Sequence, residues 1–331
     1  MKKELQVRKI SARPGARAYG ILPFGNLLDG TPIGFHIILV NGKFPGPTFG
    51  LFACMYGNAM EQSYEQGIEI IRRITRVDVD PAQLHGQIIA CSVINPMAFN
   101  TRTINAVEDE IDMQQSFPGN AQGSLTQRGT FILYQECVKQ CSVVMNFHAK
   151  TEIDWSVVFS HSNKKTYKQS LSLAESYGTP IMIMPGSIYN KTLCVSAMDL
   201  GIPSFLSEPT WPPVHGSSAG PSVRGMLNVL KHLKMIEGEI EPQHDNLVPS
   251  GYYERVKLMS SYSGMLLPLK LPGDPVRKGE IIGIIHDLYG HDLEQIASPA
   301  DGYYRVTYLN RRVQAQKTFG EILEPRKKPR V

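Results

Sequence analysis

From about residue 31 to residue 236 the chain alternates between two hydrophobic periods, and this alternation constrains the fold more than any other feature. "IGFHIILVNG" and "PTFGLFACM" are short apolar runs of the kind that form strands. "YEQGIEIIRRITR" instead spaces Ile68, Ile71 and Ile74 as one face of a helix. "QIIACSVINP" then reads as a strand, "SLTQRGTFILYQECVKQ" as a helix, "CSVVMNFHA" as a strand and "KQSLSLAESYG" as a helix. "PIMIMPG" and "IPSFLSE" are further strands, and "GPSVRGMLNVLKHLKMI" is a helix. Strands separated by helices in this way imply an α/β fold, with a mixed, mostly parallel sheet and helices on both faces. After about Gln243 the texture changes to short strands broken by Pro-Gly-Asp, Lys-Gly and Ala-Asp-Gly turns. The expected organisation is an α/β domain over residues 1–245 and a smaller all-β domain over residues 246–331.

With 331 residues, 42% of them hydrophobic and 19% charged, the chain has room for both units. The net charge of +4 is partly carried by "PRKKPRV", which reads as a solvated end, and no nucleic-acid partner is expected. No apolar run approaches the ~20 residues of a membrane span, and "MKKELQVRKI" lacks the apolar core of a signal peptide. The five cysteines, at 54, 91, 137, 141 and 194, are odd in number and contain no CxxC pair. Cys137 and Cys141 fall on one helical face. A cytoplasmic protein without a membrane partner is the expectation.

Chemistry in α/β folds sits where strands end. "VMNFHAK" places His148 at such an end, "SFLSEPTW" places Glu208, and "VINPMAFNTRTI" presents Arg102. Each alone reads as an ordinary hydrogen-bonding residue, whereas three at successive strand ends form the pattern of a site. A further strand end, "FGLFACMYGNAMEQSYEQG", opens with Tyr56 and Asn58, and its first residues carry no His, Asp, Glu or Lys. His85, His161 and His244 lie in turn-rich stretches, while His215 follows Glu208 closely enough to reach a pocket mouth. Trp211, beside Glu208, reads as an apolar wall. "GSSAGPS" lacks the strand-turn-helix elbow of a serine nucleophile.

"INPMAF", "FPGNAQGSLTQR", "NFHAK", "SEP" and "VRGMLNVLKHL", in this order over roughly residues 30 to 320, resemble the succinylglutamate desuccinylase/aspartoacylase family of the zinc carboxypeptidase superfamily. "GDPVRKGEIIGII" with "SPADGYYRV" is similar to the half-motifs of lipoyl and biotinyl carrier domains, which are barrel-sandwich folds. The intervening hairpin "HDLYGHDLEQIA" has no carrier lysine, so a structural or interface copy is expected. The family resemblance implies a zinc ion held by His and Glu of the early loop and by a later His, activating water against an amide carbonyl. A late Glu serves as base and acid, and Asn and Arg hold the substrate.

By that resemblance His148 stands at the third ligand and Glu208 at the general base. Tyr56 stands where the first ligand His belongs and Ala59 where the ligand Glu belongs. Gln114 and Gln115 replace the Asn and Arg. Ile104 replaces a second arginine, with Arg102 retained nearby, and Asn146 replaces the acidic partner of the third His. The implied chain is a divergent member with a degenerate zinc site, and no cofactor is assigned. A divalent metal stays open: the loop is longer than usual, and Glu61, Glu65 and His148 would form a carboxylate-rich site suited to manganese, iron or magnesium. Both glutamates also read as solvated first-turn residues.

Three functions follow. The first is a repurposed, zinc-independent enzyme acting on a small amide- or amino-acid-like molecule. Glu208 is its acid/base, His148 a second proton carrier, and Arg102, Tyr56, Asn58, Gln114 and Gln115 bind substrate. The second is a catalytically inactive pseudoenzyme used for binding or scaffolding. The third is a metal-dependent N-acyl amino acid amidohydrolase with a site rebuilt from Glu61, Glu65 and His148. A homo-oligomer is expected from the use of such β domains in the resembling family.

Overall fold

The computed structural model describes residues 3–57, 64–148, 153–209, 220–243, 246–306 and 311–329. The chain begins with a small hairpin of β1 (Leu5–Val7) and β2 (Ile10–Ala12), followed by β3 (Ala16–Asn26), β4 (Pro32–Asn41) and β5 (Phe44–Ala53). Helix α1 (Tyr64–Arg72) runs on into a π-helical turn over Arg73–Asp78, and β6 (His85–Cys91) returns to the sheet. Then come α2 (Pro96–Thr101), α3 (Leu125–Glu136), β7 (Val143–Phe147), β8 (Trp155–Ser160) and α4 (Lys164–Tyr177). The α/β part ends with β9 (Pro180–Pro185), α5 (Leu193–Asp199), β10 (Ser204–Glu208) and α6 (Gly220–His232). The remaining strands are β11 (Gly251–Met259), β12 (Gly264–Pro268), β13 (Pro275–Val276) and β14 (Ile281–His286). They are followed by β15 (Asp292–Ala297), β16 (Gly302–Val306), β17 (Arg312–Val313) and β18 (Thr318–Arg326).

Twelve strands make one sheet in the order β13-β16-β18-β11-β9-β8-β10-β7-β5-β6-β4-β3. Parallel pairing runs through β6-β5-β7-β10 and through β8-β9-β11, while β10 and β8 meet antiparallel. Both flanks are antiparallel. The sheet is therefore mixed, and the expected parallel character is confined to its middle. Parallel neighbours need long crossovers, whereas β3 and β4 follow one another through a short turn that only an antiparallel pair accepts; β11 with β18 and β13 with β16 pair antiparallel across longer connections.

The middle strands are buried on both faces, which explains their near-continuous apolar runs. On one side Phe49, Leu51, Met145, Phe147 and Phe205 pack with α1, α4 and α6. On the other, Phe52, Val144, Ile37 and Ile89 pack with α2, α3 and the turn after α3 that carries Cys137 and Cys141. Helix α3 starts at a capping box in which Ser124 and Gln127 satisfy each other's backbone N–H groups. In α1 and the π-helical turn that continues it the inward face is Gly67, Ile70, Ile71 and Ile74, and Ile68 lies to its side. A Cβ at Gly67 would lie 2.6 Å from the Ala53 Cβ, so the glycine lets the helix settle onto β5 and turns that face inward.

The main sheet runs across the connection at residues 245/246 without a break, because β11 pairs parallel with β9 (Tyr252 opposite Ile181) and is followed in the sheet by β18, β16 and β13. Strands β15-β14-β12-β17 form a second, four-stranded sheet with its own core of Leu266, Ile282, Ile285 and Val313. The carboxy-terminal region thus owns one sheet and shares the other. Among the described residues no helix is long and apolar enough to cross a membrane.

Candidate functional site

Strands β5, β7 and β10 are parallel neighbours in a register that pairs Ala53 with Phe147 and Phe147 with Ser207. Their carboxy-terminal ends therefore lie side by side, and Tyr56, His148 and Glu208 emerge at one edge of the sheet. Strand β5 gives way to Cys54, whose φ of +57° is a left-handed conformation unusual for a side-chain-bearing residue. Asn95 then pins the loop by donating from Nδ2 to the Met55 carbonyl at 3.0 Å. Gly57 donates its N–H to the Thr103 carbonyl at 3.0 Å, drawing the loop against the end of α2.

The Tyr56 ring stands edge-on to His148, with centroids 5.9 Å apart and planes at 77°. Its hydroxyl donates to Gln114 Oε1. Burial, and then the negative charges of Asp112 and Glu208, push the phenol well above its usual pKa, so Tyr56 stays protonated. His148 is buried, and its Nε2 lies 2.8 Å from the Asn146 amide nitrogen. An amide N–H can only donate, so with the amide placed this way Nε2 accepts and the ring proton sits on Nδ1. Glu208 is paired in register with Trp155, whose indole N–H donates to Oε2 of the carboxylate.

The other expected residues divide. Gln114 faces the cluster, whereas Gln115 is exposed. Arg102 caps α2 in a left-handed conformation and is exposed beside Thr103, which places it on the rim. Asn58, Ala59, Glu61, Trp211, His215 and His244 lie outside the described residues, as does the side chain of Glu65 in the first turn of α1. His85 stacks on Phe44 at 4.7 Å and His161 bonds Asp199 at 3.0 Å, so neither joins the cluster. The five cysteines are buried and form no disulfide, and burial pushes the Cys91 and Cys194 thiols up to about 12, as befits packing groups.

Three contributors were not anticipated from the sequence. Trp155 opens β8, and the aromatic and β-branched run in "WSVVFS" is the available signal. Asp112 accepts the Gln114 N–H at 2.9 Å, a turn that an Asp two residues ahead of Gln114 foreshadows. Gln66 is buried at the start of α1 with neither amide atom hydrogen-bonded, and Asn146 Oδ1 is likewise buried without a partner. Such orphaned groups beside a site are what an ordered water or a bound molecule satisfies. A cavity of about 500 Å³ lies elsewhere, at the opposite ends of β7 and β10, among Ser142, Asn163, Lys165 and His232.

The arrangement of sheet and helices is the one seen in solved proteins described as succinylglutamate desuccinylase/aspartoacylase family members. The chain has their fold, as the sequence motifs implied. A solved succinylglutamate desuccinylase/aspartoacylase from Rhodobacter sphaeroides superposes with a TM-score of 0.79 at 22% identity, covering 94% of this chain and 96% of that one. The product-bound ectoine utilization protein EutE of Ruegeria pomeroyi gives a TM-score of 0.79 at 15% identity, covering 96% of this chain and all of that one (100%). Among curated proteins, the N-alpha-acetyl-L-2,4-diaminobutyric acid deacetylase of Halomonas elongata is 24% identical over 253 residues, 73% of this chain and 71% of that protein. No family model matches the chain.

Proposed function

We propose that this chain is an amidohydrolase-type enzyme acting on a small, amino-acid-like amide at the Tyr56–His148–Glu208 cluster, without zinc at the family's position. The observation that carries the reading is Tyr56 itself. By the sequence resemblance it stands where a ligand histidine belongs; it remains a neutral phenol and is hydrogen-bonded to Gln114. Zinc takes thiolate, neutral imidazole or carboxylate donors. The described donors of the cluster are one imidazole, whose Nε2 faces Asn146, a protonated phenol, and the Glu208 carboxylate, whose Oε2 is already engaged by the Trp155 indole N–H. Among the described residues no group of three or more His, Cys, Asp or Glu could hold a metal ion.

In this mechanism Glu208 takes a proton from the attacking water and returns it to the leaving amine. Its Oε2 is held by Trp155, which fixes the orientation of the carboxylate. Tyr56 and the Nδ1–H of His148 are neutral donors for the acyl oxygen as negative charge develops there. Asp112 and Glu208 both press negative charge on Tyr56, and glutamines replace the family's substrate-binding Asn-Arg pair. This balance disfavours a dicarboxylate and suits an amide that also carries an amino group, with Arg102 at the rim for one carboxylate. The Halomonas relative, named as a deacetylase of an acetylated diamino acid, supports the same class. On this reading residues 246–331 are a carrier-like β unit without a carrier function.

The test has two arms: the metal content of protein purified without added metal or chelator, by elemental mass spectrometry, and a hydrolysis screen of N-acyl amino acids including Nα-acetyl-2,4-diaminobutyrate. Sub-stoichiometric metal with turnover abolished by Glu208→Gln is the expected result. One equivalent of metal, lost on His148→Ala or Glu61→Ala, would replace this mechanism with the rebuilt metal site. A folded protein inert to the whole panel would leave the binding-protein reading standing instead.

A further inference from the structure

The strands that follow residue 246 reach the candidate acid/base. Arg305 on β16 and Glu321 on β18 are register partners, joined by an ion pair from Arg305 Nη1 to Glu321 Oε2. The Arg305 guanidinium lies 3.6 Å from the centroid of the Trp155 ring, and Arg255 on β11 lies 5.7 Å from the same ring and 3.5 Å from Glu321. Trp155 in turn donates its indole N–H to Glu208. In the sheet, β16 and β8 are four strand spacings apart, about 19 Å if flat. Contact across that gap requires the sheet to curl so that its carboxy-terminal strands face β8, and a small core of Trp155, Met182, Tyr253 and Leu323 fills the curl.

Stability is a poor reason for this cluster. Arg305 and Glu321 are 8% and 9% exposed, and burying an ion pair seldom improves on an apolar pair of the same volume. Arg305 Nε is buried without a hydrogen-bond partner, and desolvation lowers the guanidinium pKa against the pull of Glu321 and Glu208. A group held at such cost is retained for what it touches. A cation stacked at 3.6 Å on an indole fixes the plane of that ring, and the plane decides where the N–H points.

We infer that Arg305 is a positioning residue for Glu208: stacked on Trp155 and countered by Glu321, it holds the indole so that its N–H faces Oε2. The carboxy-terminal strands are then a wall of the site. This rests on the reading of Glu208 as the acid/base, but its first test needs no substrate. Trp155 is one of two tryptophans, so the Trp211→Phe variant assigns its indole N–H signal in a proton–nitrogen NMR spectrum. In Arg305→Met that signal moves toward the shift of a free indole and its hydrogen-exchange protection falls by about tenfold or more. Arg305→Lys, which keeps the charge and loses the planar stack, is intermediate. Circular dichroism establishes that the fold persists, and Glu321→Gln, which releases the guanidinium, replaces Arg305→Met if that variant does not fold. An indole N–H unchanged in shift and protection in these variants overturns the proposal. If a substrate is found, Arg305→Lys lowers kcat and leaves KM near wild type, and a change confined to KM also counts against it. A wild-type protein inert to every substrate, with the NMR result as expected, would remove the hydrolase reading and leave the positioning role.

Discussion

Gly57→Ala should expose how the site loop is held. A Cβ at residue 57 would lie 1.7 Å from the Ala98 carbonyl oxygen and 2.4 Å from the Phe99 nitrogen, both backbone atoms that no rotamer change can move. Relieving the first contact from 1.7 Å to the 3.0 Å below which Cβ contacts essentially never fall takes a shift of about 1.3 Å. That shift also breaks the Gly57–Thr103 hydrogen bond and carries Tyr56 away from His148. Overpacking of this kind costs about 1–3 kcal/mol and the hydrogen bond about 1 kcal/mol, for a total of about 2–4 kcal/mol. At about 2.1 cal/mol/K of unfolding entropy per residue, a chain of 331 residues loses about 1.5 °C of Tm per kcal/mol, so calorimetry should show a fall of about 3–6 °C. Gly129→Ala in α3 is the control: its Cβ would meet side-chain atoms alone, the Phe24 ring at 3.3 Å and Phe35 Cζ at 3.4 Å, and a helical alanine offsets those contacts. A Gly57→Ala melt within about 1 °C of wild type would refute the argument, because it would mean the loop and α2 part freely.

Gln66→Leu removes two buried, unbonded amide atoms, so stability should hold or rise by about 1 kcal/mol in denaturant titration, while substrate binding weakens if the amide serves the site. Asp109 accepts from the Thr126 N–H at 2.7 Å and from its hydroxyl at 2.8 Å. Burial raises its pKa, but hydrogen bonds from Ser124, Thr126 and Ile111 outweigh that and hold it below the usual carboxylate value. A depressed carboxylate stabilises the fold above its unfolded pKa and loses that contribution as pH falls through the folded one. Asp109→Ala should therefore cost about 1 kcal/mol at pH 7, partly screened because the group is only half-buried, and the gap from wild type in thermal melts should close below about pH 4. A chain ending at residue 245 uncovers Trp155 and Met182 and leaves β9 without β11, so it should fail to melt cooperatively and should aggregate on size exclusion. A monomeric, cooperative fragment would instead favour two independent units.

Hydrophobic period made the α/β middle legible, because strands buried on both faces and helices with one apolar stripe leave different marks. It located His148 and Glu208 at neighbouring strand ends, where parallel pairing brings them together. It misjudged the inward face of α1, since Gly67, which carries no side chain to count, sets the helix's approach. It also missed β8 and with it Trp155, because six residues between two turns give too short a period to stand out. Arg305 was illegible for a different reason. Nothing local in "DGYYRV" signals a residue whose partner lies 150 positions earlier (305 − 155), across a curl that only the whole sheet creates.

That curl also orders events during synthesis. Trp155 and Glu208 leave the ribosome well before Arg305 and Glu321, and the amino-terminal part of a chain begins to fold first. The indole face that Arg305 covers stays open to water until β16 and β18 have been made and have closed over it. A chain cut short anywhere before residue 305 carries Tyr56, His148 and Glu208 but not the cation that lies against Trp155. Completion of this pocket is one of the last steps in the life of a nascent chain.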